Sequence, residues 1–258
     1  GKSKFAIQLA KKINGEIINA DSMQIFKELK ILTARPQQND LKNIKHHLYG
    51  FKSVEDNYST GNWLKDAKKK INNIKKKNKI PILVGGTGLY FKALIDGIVK
   101  IPDIPLTFRN RIRKKQSKIG QIKFYSALIK LDPNCKKKIN KNDSQRSIRA
   151  YEVKKYTNKS LFDWYSETYS DFNQDSFIKL HIDYPREKLI ERIYIRTNEM
   201  LRDGAIKEAK RFYKLRVKKD LSSNKVIGLS EIKEYLDKRI DLTELKEKIS
   251  IKTRQYAK

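Results

Sequence analysis

Cysteine is almost missing from this chain. With Cys135 as its one thiol, no disulfide can form within the 258 residues; a reducing compartment suits it and the cytoplasm is expected. Three histidines beside that cysteine are too few for a zinc centre of the cysteine–histidine kind, so His46 and His47 are not read as metal ligands. No apolar run approaches the length of a membrane span, and no membrane partner is expected. Acidic residues are scarce: 29 Asp and Glu face 59 Lys and Arg, a formal net charge of +30. That imbalance is extreme for an ordinary metabolic enzyme and points to a polyanion, nucleic acid ahead of an anionic membrane. Richness in Lys, Ile and Asn also carries charge through compositional bias, so charge alone does not name the partner. The length allows a sizeable core, in one α/β domain or one plus an insert.

What is present begins at once. Gly1-Lys2-Ser3 precedes Lys4-Phe5-Ala6-Ile7-Gln8-Leu9-Ala10, an amphipathic helical pattern, and reads as the last positions of G-x-x-x-x-G-K-[ST]. The strand and first glycine of that motif are expected ahead of Gly1, so no targeting segment is read from this terminus. In such a loop, backbone N–H groups at a helix start cradle diphosphate oxygens, Lys2 adds a point charge and Ser3 can hold Mg²⁺. Three short apolar segments, 16–20, 80–84 and 176–182, are predicted as buried parallel strands, with helical patterns at 3–14, 62–78 and 88–97. The strands end at Asp21, at Gly85-Gly86-Thr87-Gly88 and at Asp183-Tyr184-Pro185-Arg186. Alternating strands and helices predict a doubly wound α/β sheet with its ligands outside the carboxyl ends of the strands. From 103 to 175 the chain turns helical, basic and aromatic-rich, an inserted region between sheet strands. From 185 it is helical again, with Leu189, Arg192, Ile193 and Arg196 at i, i+3, i+4 and i+7. There is no internal repeat and no disordered linker.

An ordered series of segments carries a resemblance. After Gly1-Lys2-Ser3 come Asp21-Ser22-Met23-Gln24-Ile25-Phe26, Thr33-Ala34-Arg35-Pro36, His46-His47-Leu48, and Gly85-Gly86-Thr87-Gly88-Leu89-Tyr90-Phe91-Lys92-Ala93-Leu94. Asp132-Pro133, Asp143-Ser144-Gln145-Arg146-Ser147-Ile148-Arg149-Ala150-Tyr151-Glu152-Val153 and the terminal Thr253-Arg254-Gln255-Tyr256-Ala257-Lys258 complete it. Together they resemble the tRNA dimethylallyltransferases, over essentially the whole chain. Two positions depart: Gly228-Leu229 stands where the family usually has Gly-Tyr, and Phe26 where it usually has Tyr.

The resemblance implies a P-loop NTPase-like parallel sheet flanked by helices, residues 1–102 and 176–258 forming that core and 103–175 an inserted helical tRNA-binding lid. It implies transfer of a dimethylallyl group from its diphosphate to the exocyclic N6 of the adenine 3′ of the anticodon, with diphosphate leaving. Gly1, Lys2, Ser3 and one of Arg192 and Arg196 would bind the diphosphate, with Mg²⁺ on Ser3. Asp21, Ser22, Met23, Gln24, Thr87, Arg109, Gln145, Arg146, Ser147, Ile148 and Arg149 would meet the tRNA anticodon stem-loop, and the protein is expected to be a monomer. The chemistry is coherent. An aryl amine is a poor nucleophile, and a carboxylate such as Asp21 can orient it and take its proton; Thr87 can donate to the diphosphate. Plainer roles compete: Asp21 or Thr87 as helix caps, Arg192 and Arg196 as solvated surface, Lys136-Lys137-Lys138 as a bare charged face. The rival functions are isopentenyl transfer to free adenine nucleotides, a P-loop nucleotide kinase and a non-catalytic RNA-binding module; the basic stretch 103–175 is superfluous for a mononucleotide.

Overall fold

The structure, a computed structural model, describes residues 1–37 and 44–257. The chain forms two compact units, one of Gly1–Phe91 with Ile178–Lys258 and one of Lys92–Phe177.

The first unit is built on a small parallel sheet. Strand β1 (Gly15–Asn19) lies between β2 (His46–His47) and β3 (Ile80–Val84), in the order β2-β1-β3. Ile17 lies opposite His46 on one side and Ile82 on the other. β1 is buried throughout, as a central parallel strand covered on both faces must be. Helix α1 (Lys2–Lys12) puts Ala6 and Ala10 against Ile17 and Ile44; side chains this small let helix and sheet approach closely. Helix α2 (Thr60–Lys75) starts at Ser59, whose hydroxyl accepts the Asn62 N–H at 3.1 Å, and buries Trp63, Leu64, Ala67, Ile71 and Ile74 along one stripe. Helix α3 (Gly88–Ile95) follows β3.

The pattern over 176–182 predicts a strand, and the structure corrects it. Gln174–Ser176 form a single 3-10 turn, and 177–185 have no ladder partner among the described residues. Ile178 is 91% and Leu180 59% exposed. Apolar alternation supplies a face, but a strand exists only where a neighbouring backbone takes its N–H and C=O groups. The third strand is instead His46–His47, too short to carry a period.

The C-terminal part of the same unit is helical: α8 (Arg186–Arg202), α9 (Ala205–Lys214), α10 (Leu229–Leu236) and α11 (Leu242–Tyr256), numbered after the four helices of the second unit given below. They close over the loop that follows β1, so that Ile25, Phe26, Leu29 and Leu32 share one core with Met200, Phe212, Leu229, Ile232, Leu245 and Ile249. Phe26 is fully buried, where its ring contributes roughly 1.5–3 kcal/mol and a hydroxyl would need a partner. Gly228 precedes α10 at φ +103, and a Cβ there would sit 2.7 Å from Leu32 Cδ2; both conformation and space require glycine.

The second unit is helical: α4 (Leu106–Ile119), α5 (Gln121–Leu131), α6 (Ser144–Thr157) and α7 (Leu161–Tyr165). Ile112, Phe124, Leu128, Cys135, Ala150, Val153 and Leu161 form its core. Trp164 packs against this core, donating its indole N–H to Thr157 Oγ1 at 3.2 Å. Asp143 caps α6, accepting the Arg146 N–H at 3.0 Å. Among the described residues no helix is long and apolar enough to cross a membrane.

Candidate active site

The site lies at the carboxyl ends of β1 and β3, where open α/β sheets bind ligands. Asn19, the last residue of β1, is fully buried and holds the turn: its side chain donates to the carbonyls of Asp21 and Leu48, both at 2.9 Å, and accepts the Asp21 N–H at 2.9 Å. Its carbonyl accepts the Trp63 indole N–H at 2.9 Å, and Trp63 stacks on Tyr90 with centroids 4.2 Å apart. The turn therefore has little freedom to move Asp21. Asp21 Oδ1 accepts the Met23 N–H at 2.9 Å, an Asx turn that fixes the carboxylate.

From β3, the glycine turn reaches the same place. Gly85 lies so close to β1 that a Cβ would fall 2.0 Å from the Ala20 carbonyl oxygen, and the Thr87 N–H donates to that oxygen at 3.2 Å. Thr87 Oγ1 accepts the Ser22 N–H at 2.9 Å and donates to Ser22 Oγ at 3.3 Å. The Thr87 hydroxyl thus serves the Asp21-Ser22 loop; the α3 bonds at this position, from Tyr90 and Phe91, go to its backbone carbonyl. Gln24 donates its amide to the carbonyls of Thr33 and Ala34 at 2.9 and 3.3 Å, tying the loop to the Thr33-Ala34-Arg35-Pro36 segment. Glu208 of α9 anchors that segment further, accepting the N–H groups of Lys30, Ile31 and Leu32 at 2.8 to 3.0 Å.

Gly1, Lys2 and Ser3 form the start of α1, all exposed, and no side chain caps the helix. Its first N–H groups and the positive end of its dipole are open to an anion. Arg192 lies within electrostatic range of Gly1 at the helix start. Arg196, one turn along α8, faces Asp21 instead. Burial pulls its guanidinium below arginine's ordinary value while Asp21 pulls it back. The two arginines share a face but lie toward different ends of the site.

Three tyrosines, Tyr49, Tyr90 and Tyr256, lie within electrostatic range of Asp21. Burial, and then the charge of Asp21, raises Tyr49, Tyr90 (to about 12) and Tyr256. Tyr256 turns its hydroxyl toward Gly86, 3.9 Å from where a Cβ would stand. All three fall in or beside segments that carried the resemblance. Lys258, the last residue of the terminal segment, lies outside the described residues. Among the described residues no three His, Cys, Asp or Glu side chains gather as a metal site.

Arg109, Gln145, Arg146, Ser147, Ile148 and Arg149 all lie in the second unit. Gln145 and Arg146 are exposed. Ser147 is buried, donating to the Asp143 carbonyl at 2.7 Å and accepting from Gln121 at 3.2 Å, and Ile148 packs against the core. Arg109 and Arg149 converge on Glu152, a residue the sequence reading left without a role. Burial pushes the Glu152 carboxyl up, against the pull of Arg109, Arg149 and Arg113.

Comparison with known proteins gives the family. The chain is 62% identical over 258 residues to a tRNA dimethylallyltransferase of Pelagibacter ubique, covering 100% of this chain and 82% of that protein. It is 42% identical over 262 residues to a tRNA dimethylallyltransferase of Rickettsia massiliae, covering 100% and 71%. Among solved structures it is similar to the tRNA isopentenylpyrophosphate transferase of Bacillus halodurans, at TM-score 0.68 and 30% identity over 100% of this chain and 80% of that one. It is also similar to a eukaryotic dimethylallyltransferase acting on tRNA, at TM-score 0.85 and 29% identity over 100% and 65%. The IPP transferase family matches residues 24–258, and the chain belongs to that family.

Proposed function

We propose that this protein transfers a dimethylallyl group from dimethylallyl diphosphate to the exocyclic N6 of the adenine 3′ of the anticodon in tRNA, releasing diphosphate. The observation that carries the reading is the meeting of Asp21 and Thr87 at adjacent strand ends, joined by the 2.9 Å bond from the Ser22 N–H to Thr87 Oγ1. The free oxygen of Asp21 accepts the N6–H, orients the amine and takes its proton as the N6–C1 bond forms. The C1–O bond breaks, and its electron pair leaves with the diphosphate. The open amides of α1, Lys2 and Arg192 hold that diphosphate, while Thr87 turns its one hydroxyl proton from Ser22 Oγ to donate to it as its charge grows. Arg196 sets a positive charge facing Asp21. The target base must leave its stack to reach this carboxylate, and the tRNA is gripped by the basic second unit.

Ser3 offers a hard, exposed hydroxyl in the first turn of α1, which suits Mg²⁺ with its remaining ligands drawn from diphosphate and water. When bound there, the ion neutralises charge on the leaving group. The enzyme acts in the cytoplasm as a monomer.

Transfer of labelled dimethylallyl from its diphosphate, compared among tRNA, AMP and no acceptor, tests the reading. Label in tRNA alone is expected. Label in AMP instead would mean a nucleotide isopentenyltransferase, and phosphoryl transfer from ATP a kinase.

A further inference from the structure

Helices α4 and α6 of the second unit enclose one carboxylate among three arginines. Glu152 is 3% exposed. Arg109 Nε lies 3.7 Å and Arg149 Nη1 3.8 Å from its Oε2, and Arg113 Nε 4.0 Å from its Oε1. Arg109 and Arg113 are one turn apart on α4, and Arg149 and Glu152 three apart on α6, so each helix presents one face to the cluster.

The distances set this apart from an ordinary buried ion pair. Elsewhere in this chain the buried carboxylate of Glu16 closes on its partners, His47 at 2.7 Å and Lys79 at 3.1 Å. Around Glu152 the guanidinium groups stand off beyond hydrogen-bond length. Arg109 Nε, Arg149 Nη1 and Glu152 Oε1 are buried with no hydrogen-bond partner. Such orphaned polar atoms are destabilising. Meanwhile the Arg109, Arg113 and Arg149 side chains remain 37%, 47% and 36% exposed. The carboxylate gathers the arginines, and Arg109 Nε and Arg149 Nη1 keep donors without a hydrogen-bond partner, the arrangement suited to a second anion with forked acceptors, a phosphate.

We propose that Glu152 is a positioning residue for RNA binding, gathering Arg109, Arg113 and Arg149 into a cluster that receives a tRNA phosphate. The inference rests on the functional reading above and adds a carboxylate to it. Its sign is unusual: an acidic residue strengthens the grip on a polyanion.

The test is tRNA affinity and steady-state kinetics of the chain and two variants, Glu152→Gln and Glu152→Asp, with thermal melting alongside. Glu152→Gln removes a negative charge, so net-charge attraction alone would tighten tRNA binding. Glu152→Asp keeps the charge and draws the carboxylate back by one methylene. If the carboxylate positions the arginines, both variants raise the Kd and KM for tRNA by roughly tenfold, with kcat at saturating tRNA and donor binding unchanged and melting close to the parent's. Binding by Glu152→Gln as tight as the parent's or tighter overturns the proposal. So does a Glu152→Asp protein indistinguishable from the parent, or the loss of folding in both variants, which would make Glu152 a core ion-pair partner only. A parent chain that binds no tRNA overturns the functional reading first, and this inference with it.

Discussion

At the scale of single residues, Asp21 divides its two oxygens between different tasks. Oδ1 is committed to the Met23 N–H, and the other oxygen has no hydrogen bond among the described residues. Asp21→Asn can keep the first bond while losing the base. It is expected to leave the fold and both substrates' affinities in place and to slow single-turnover transfer roughly a hundredfold or more; a variant that transfers normally would reduce Asp21 to a turn residue. Cys135 is the opposite case, a reactive group made inert. It is fully buried, its thiol meets Asp132 Oδ2 at 3.4 Å, and burial raises it to about 12, with the Asp132 charge adding to the effect. Since the thiolate is the nucleophile, iodoacetamide at pH 8 should leave the native protein unlabelled and modify it fully in denaturant; labelling of the folded protein would contradict this. Asp21 and Thr87 were legible in the sequence because a strand end is a local signal. The different neighbours of Arg192 and Arg196 were not, since spacing shows a shared helix face but not what lies opposite each turn.

At the scale of elements, β1 and β3 were readable because short apolar segments, Ile17-Ile18 and Ile80-Pro81-Ile82-Leu83-Val84, stand between turn signals. The same signal over 176–182 misled, because a strand depends on a partner that no local pattern encodes. The pairing of His47 with Glu16, 31 residues apart, was hidden for the same reason. That pairing has a measurable consequence for the sheet. Burial works to raise the Glu16 carboxyl, but hydrogen bonds from His47 and Lys79 outweigh it and hold the group below 4.5. A carboxyl lowered in the folded state stabilises the fold fully above its unfolded value, and that contribution is lost as pH falls through the folded value. The urea midpoint of the parent should therefore exceed that of Glu16→Gln at pH 7, with the gap narrowing as pH drops below 4.5. A gap independent of pH would assign the effect to packing.

At the scale of the whole molecule, the excess of +30 says that some polyanion is met but not where. Replacing Arg146 and Arg149 together with Ala should raise the KM for tRNA and flatten the log–log salt dependence of binding by about two units, slightly less if the phosphates are single-stranded. Affinity for dimethylallyl diphosphate, measured without tRNA, should barely change. If compositional drift explains the charge, two arginines among 59 basic residues will make no difference across the salt series. The division into two units also sorts the chain's two tryptophans, one to each. Trp63 is fully buried and stacked on Tyr90, whereas Trp164 is half-buried with the Lys159 ammonium 4.5 Å from its ring. Each unit thus carries its own fluorophore in a distinct environment, and a Trp→Phe change at either position leaves a signal that belongs to one unit alone. Trp63 holds the carbonyl two residues before Asp21, so its emission is a built-in reporter for whatever arrives at the strand ends, while Trp164 follows the folding of the basic unit.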